Sequence, residues 1–177
     1  MVDNLLLGPD AQVNHLTSLL RSTAGTGSLV EGAPLAPGAF LSVDQDAKLS
    51  GQFKTGEGAV LNLAYEVQKP PRWLAMHLQM GSLPLNETSV FGVVCKSQAP
   101  QAATFRLCLR SGIAGGFVDA FFDKHVVAYA DQSTHVDLLR LESRSDVPAE
   151  APWRELILFF QTRSAQITVR DLRVFIV

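Results

Sequence analysis

The sequence predicts an all-β protein: an antiparallel β-sandwich of about nine strands preceded by one short N-terminal helix. Three observations predict it. The spacing of apolar residues changes after residue 38 from the helical period of about 3.6 to the strand period of about 2. Short alternating runs then recur to the C-terminus, separated by clusters of Pro, Gly, Asn, Asp and Ser. No strand–helix–strand rhythm and no internal repeat interrupts the series.

Residues 10–24 carry the helix. Val13, Leu16, Leu19 and Leu20 recur at helical spacing, with Asn14, His15, Thr17 and Ser18 on the other side. Asp10 suits the N-cap, Arg21 the last turn and Gly25 the stop. Residues 25–38, GTGSLVEGAPLAPG, read as a Gly/Pro loop. Segment 1–38 is therefore expected as a helix and linker packed on a sandwich formed by 39–177.

The strands follow in order. AFLSVDQ at 39–45 is the first. AVLNLAYEV at 59–67 turns Leu61, Leu63, Tyr65 and Val67 one way and Asn62, Ala64 and Glu66 the other. WLAMHLQM at 73–80 separates Leu74, Met76, Leu78 and Met80 from Trp73, Ala75, His77 and Gln79. Gln68–Arg72, with Pro70 and Pro71, breaks the chain between them. If these two strands pair, their polar face collects Asn62, Glu66, His77 and Gln79. SVFGVVCK at 89–96 and TFRLCLR at 104–110 form the next expected pair. GFVDAFF at 116–122 and HVVAYA at 125–130 read as a hairpin turning at Asp123-Lys124. THVDLLRLE at 134–142 slips phase between Leu138 and Leu139, the sign of a bulge or a change of face. Residues 143–152 are a loop, and 153–162 bury Leu156, Leu158 and Phe160. The last strand carries Ile167 and Val169, slips phase at Arg170-Asp171, and resumes with Leu172, Val174 and Ile176. A strand bent in this way points to a jelly roll.

The ordering of strands from Thr104 to Val177, and above all the ending Trp153-Arg154-Glu155-Leu156 followed by Ile-Thr-Val-Arg-Asp-Leu-Arg-Val, resembles the galactose-binding-like and carbohydrate-binding-module-like jelly rolls, a resemblance that extends over 39–177. The resemblance implies a glycan bound on a sheet face or at loop tips, or an accessory or assembly role. It also implies that a structural calcium can sit at the sandwich edge. Asp44 and Asp46 in VDQDAK offer two oxygens near a strand end, fewer than calcium takes.

Two polar constellations stand out. Asn62, Glu66, His77 and Gln79 with Trp73 suit a sugar, whose hydroxyls need directional partners and whose apolar face stacks on an aromatic ring; the same residues also suit a plain solvated face. Arg106 and Arg110, with Asp119 nearby, suit a carboxylate or phosphate on an acidic sugar or nucleotide-sugar-linked ligand, or merely keep a sheet soluble. The segment 117–130 is apolar on both faces, so Phe117, Phe121 and Val126 are expected where a second copy or another element covers them.

Other chemistry finds little support. No GxSxG, P-loop or Cys–His pair is present, so no catalytic residue is assigned. His15, His77, His125 and His135 lack metal-ligand spacing, so no metal site or cofactor is expected. The formal net charge is −2 with no basic stripe, against a nucleic-acid partner. No apolar run is long enough to span a bilayer, and the N-terminus, with only Leu5, Leu6 and Leu7 in a row, does not read as a signal peptide. A cytoplasmic protein is the expectation. Cys95 and Cys108 point to opposite sides of their strands and are expected as free thiols. Three functions remain: a non-enzymatic glycan-binding or accessory module, a homo-oligomeric structural protein joined through 117–130, and a jelly-roll lyase or hydrolase.

Overall fold

The computed structural model describes residues 10–177, so Leu5, Leu6 and Leu7 lie outside the described residues. Helix α1 (Ala11–Ser22) is followed by β1 (Gly25–Ser28), β2 (Pro34–Ala36), β3 (Ala39–Val43), β4 (Lys48–Gly56), β5 (Ala59–Lys69) and β6 (Leu74–Gly81). Then come β7 (Val90–Gln98), β8 (Ala103–Ile113), β9 (Gly116–Ala128), β10 (Ser133–Arg140), β11 (Arg154–Phe160) and β12 (Ala165–Ile176). Two six-stranded antiparallel sheets result. The first has the order β1-β4-β5-β12-β7-β10, the second β2-β3-β6-β11-β8-β9. This is the all-β jelly-roll sandwich with one helix that the periodicity predicts, with twelve strands rather than about nine.

The alternation within each long strand sets the core. Leu61, Leu63, Phe91, Val93, Ile167 and Val169 face inward from the first sheet and are fully or almost fully buried. Met76, Leu78, Leu107, Leu109, Leu156 and Leu158 meet them from the second. The strands missed in the sequence have identifiable reasons. In β4 the apolar phase runs Leu49, Gly51, Phe53, and the glycine hides the pattern. Its place has a cause: a Cβ at Gly51 would lie 2.5 Å from the Ala64 carbonyl oxygen, so only glycine lets β4 and β5 approach. β1 and β2 sit in the Gly/Pro segment, at the edges of the two sheets.

Several expected pairings do not form. β5 and β6 lie in different sheets, and so do β7 and β8. Each pair crosses from one layer to the other, as a sandwich allows but local periodicity does not reveal. The expected turn at Asp123-Lys124 is absent, because β9 runs straight through it. The hairpin instead joins β8 to β9 around Ala114-Gly115, with Ile113 opposite Gly116 and Gly115 at φ 81°. A bulge in β9 sets Phe121 opposite Cys108 but His125 opposite Arg106. Two extra residues leave the side-chain phase unchanged, so without a turn at Asp123-Lys124 the inward phase of Ala120 and Phe122 continues to Val126, which is fully buried. Val126 therefore packs between the sheets and offers no surface to a partner. β10 pairs with β7 without interruption, so the phase change at Leu138-Leu139 is not a bulge. Its inward positions include Asp137, and Val136 and Leu138 face solvent. An inward carboxylate on an edge strand discourages further strand addition.

Helix α1 sends Val13, Leu16 and Leu20 into the same core. Asp10 holds the N-cap position without a side-chain cap bond; its carboxylate accepts from Asn14 Nδ2 at 3.0 Å instead. Asn14 is no solvent-facing residue. Its Nδ2 donates to the Val174 carbonyl at 2.7 Å and its Oδ1 accepts from the Val174 amide at 2.8 Å, as a strand partner would. The helix ends at Thr23, and Gly25 opens β1.

Cys95 and Cys108 are free and buried. Cys95 faces the core. Cys108 faces the outside of the second sheet, where Ala75, Ile157, Phe121 and Phe159 enclose it. Burial pushes both thiols up to about 12, and the Asp119 carboxylate adds to the effect at Cys108. Neither thiol is therefore expected to react with Ellman's reagent in the native protein at about pH 8, and both are expected to react once the protein is unfolded in guanidinium. Rapid native-state labelling would contradict this packing.

Candidate functional site

Outward residues of β4, β5 and β12 build a polar groove on the first sheet. The register places them in rows. Lys54 lies beside Asn62, and Asn62 beside Thr168; Gln52 lies beside Ala64, and Ala64 beside Gln166. Ala64 is the small residue between two long amides, so it forms a floor with Gln52 and Gln166 as walls. A cavity of about 400 Å³ covers the row that reaches Arg170, and one of about 600 Å³ continues over Ser50 and Glu66. They share Gln52, Ala64 and Gln166, so they are one groove.

Two hydrogen bonds order it. Thr168 Oγ1 donates to Asn62 Oδ1 at 2.9 Å, and Arg170 Nη2 donates to Gln98 Oε1 at 3.1 Å. Gln52, Lys54, Glu66 and Gln166 make no side-chain hydrogen bond among the described residues, which leaves donors and acceptors open to solvent. Arg170 sits where the pairing of β12 with β7 shifts register, between Val169 and Asp171. The phase slip visible in the sequence is this bulge. It keeps Arg170 on the groove while turning Leu172 back into the core.

The expected cluster of Asn62, Glu66, His77 and Gln79 is split. Asn62 and Glu66 line the groove. Trp73, His77 and Gln79 belong to the opposite outer face, because the chain crosses to the second sheet between β5 and β6. There they meet the other expected constellation. Gln79 lies beside Glu155, Glu155 beside Arg110, and Arg110 beside Asp119. His77 Nδ1 is 2.8 Å from Glu155 Oε2, and since a carboxylate only accepts, that nitrogen carries the proton. Phe40 stacks on the His77 ring at 4.7 Å. Arg110 grips Asp119 through two bonds of 2.6 and 2.8 Å and lies over the Phe117 ring at 3.8 Å. Arg106 lies over Phe121 at 4.1 Å, and Phe121 packs on Phe159. Trp73 donates to Ser42 Oγ at 3.0 Å. These side chains bond chiefly to one another. Phe117 is half exposed, and Phe121 is largely covered by its neighbours.

Asp44 and Asp46 both hold Arg72. Its guanidinium meets Asp44 through Nε and Nη2, each at 2.9 Å, and Asp46 through Nη2 at 2.9 Å. Their oxygens are thus engaged by a side chain of this protein. No group of three or more metal-ligating side chains occurs among the described residues. The Arg72 guanidinium, seconded by the Arg72 backbone N–H, holds the Asp44 carboxyl well below the usual carboxylate range. A depressed carboxyl stabilises the fold above its unfolded value of about 4, and the stabilisation is lost as pH falls towards the folded value. Asp44→Asn is therefore expected to lower stability at neutral pH and to flatten the decline below about pH 4, as urea midpoints measured across pH would show. A variant whose acid decline matches wild type would contradict the pairing.

No protein-family model and no curated protein sequence matches this chain. Solved structures do match its fold. The CBM22-1 xylan-binding domain of Paenibacillus barcinonensis Xyn10C aligns with 89% of this chain and 96% of its own, at 8% identity and TM-score 0.52. The family 11 carbohydrate-binding module of Clostridium thermocellum, solved with a beta-1,3-1,4-mixed-linked tetrasaccharide, aligns with 87% and 97%, at 8% identity and TM-score 0.54. The N-terminal cellulose-binding domain of Cellulomonas fimi beta-1,4-glucanase C aligns with 85% and 94%, at 14% identity and TM-score 0.53. The chain shares the jelly-roll sandwich of carbohydrate-binding modules.

Proposed function

We propose that this chain is a non-catalytic glycan-binding module and that the sugar lies in the groove over β4, β5 and β12. The carrying observation is the row Gln52–Ala64–Gln166 with its neighbours Asn62 and Thr168. Adjacent strands are about 4.8 Å apart, so the two glutamines flank Ala64 across a gap on the order of 10 Å, enough to seat a sugar ring. Sugar hydroxyls both donate and accept, and so does a carboxamide. The fold supports the same reading, since the xylan-binding, cellulose-binding and tetrasaccharide-bound modules above are built on it.

Affinity electrophoresis and calorimetry against soluble polysaccharides test the proposal. Wild type is expected to bind at least one of them. Gln52→Ala combined with Gln166→Ala is expected to weaken that binding about tenfold or more, from about 1 kcal/mol per lost hydrogen bond. Phe117→Ala, on the opposite face, is expected to leave it unchanged. Failure of the wild-type protein to bind any glycan would overturn the reading.

A further inference from the structure

We infer that the groove takes a carboxylate-bearing glycan, with the acid seated between Lys54 and Arg170; this rests on the glycan-binding reading above. The first ground is what the groove lacks. Phe53 and Tyr65, the aromatic residues of β4 and β5, both turn inward and are buried. The aromatic rings exposed on this protein, Phe117, Tyr129 and Trp153, belong to other faces and loops. A neutral pyranose therefore finds no ring to stack on, and polar groups must supply the attraction.

The second ground is the state of the cations. Arg21, Arg72, Arg110, Arg144 and Arg173 are all paired with carboxylates of the chain. Lys54 and Arg170 enter no ion pair among the described residues, although both line the groove. Arg170 is positioned without being neutralised: Gln98 accepts one of its hydrogens, and the bulge between Val169 and Asp171 aims it over Thr168. Lys54 approaches the same row from the other side, beside Asn62. A carboxylate above Asn62 and Thr168 meets both cations, and charge-assisted hydrogen bonds are roughly twice as strong as neutral ones. Glu66 lies two rows towards the far end with no cation lining the groove beside it, whereas at the other end Lys54 and Arg170 together outweigh the one carboxylate there, Glu57, which places the acid at the Lys54–Arg170 end.

The experiment measures binding of the full chain to polygalacturonate, a neutral mixed-linked glucan and a sulfated glycan, each at low and raised salt. The inference expects polygalacturonate to bind best, with affinity falling as salt rises. Arg170→Gln and, separately, Lys54→Gln are each expected to weaken that binding about tenfold and to reduce its salt dependence, leaving any weaker neutral-glucan binding within about twofold. Lys54 is exposed, so its variant tests the idea even if Arg170→Gln disturbs the strand. Equal affinity for the neutral glucan, unaffected by either substitution, would overturn the carboxylate assignment and leave glycan binding standing. Stronger binding to the sulfated glycan would overturn the assignment in favour of sulfate. No binding to any of the three overturns the inference together with the reading on which it rests.

Discussion

Arg154→Met is expected to destabilise the protein by about 3–5 kcal/mol, lowering the melting temperature on the order of 10 °C for a chain of this size. Arg154 is fully buried at the start of β11, in the inward phase shared by Leu156, Leu158 and Phe160. No carboxylate answers it. Its Nε donates to the Leu83 carbonyl at 2.9 Å, Nη1 to Ser111 Oγ, and Nη2 to the carbonyls of Pro148 and Ala149. Desolvation lowers its pKa below the usual arginine value, and the carbonyl dipoles offset part of that cost. One side chain thus ties the segments before β7 and before β11 to the mouth of the sandwich. Methionine fills similar volume but leaves three carbonyls without their donor, at roughly 1–3 kcal/mol for each that finds no water. Arg154→Lys keeps the charge and loses the planar fork, so it should fall between the two. Thermal unfolding followed by circular dichroism decides. A shift under about 3 °C would mean that the two segments are held by other contacts.

Phe91→Ala is expected to cost about 3–5 kcal/mol in urea unfolding, with Phe91→Leu much milder. Phe91 on β7 and Phe122 on β9 are both fully buried, with ring centroids 6.2 Å apart at 57°. Among the described aromatic pairs this one spans the two sheets; the others lie within the second. Truncation removes a large apolar surface and opens a cavity at the junction of the layers. Phe117→Ala, at a half-exposed ring on the outer face, should change stability by less than about 1 kcal/mol. Similar losses for the two variants would contradict the placement of β7 against β9.

Much of this architecture can be read in the sequence. The runs Leu61–Leu63–Tyr65, Phe91–Val93–Cys95 and Leu156–Leu158–Phe160 announce their strands and their buried faces, because the period of 2 is a property of the strand itself. The slip at Arg170-Asp171 announces its bulge for the same reason. β4 is obscured where Gly51 replaces a side chain in the apolar phase. Arg154 is a further lesson: it occupies an inward position that alternation reveals, yet its charge argues for the surface until four acceptors on distant segments are seen.

The candidate site divides along the same line. Alternation shows that Asn62 and Glu66 leave the core, and that His77, Gln79, Arg106 and Arg110 do so too. It does not show which outside they reach. Every strand of a sandwich buries one face against the other layer, so the pattern of β5 is the same whichever sheet it joins. Sheet membership comes from hydrogen bonds between segments as far apart as Asn62 and Thr168, which only the folded chain brings together. The sequence by itself determined the strand class, most of the inward residues and the bend in β12. The tertiary structure decided that Gln52, Asn62 and Gln166 share a groove with Lys54 and Arg170, because pairing across a sheet is a non-local choice that no local period encodes.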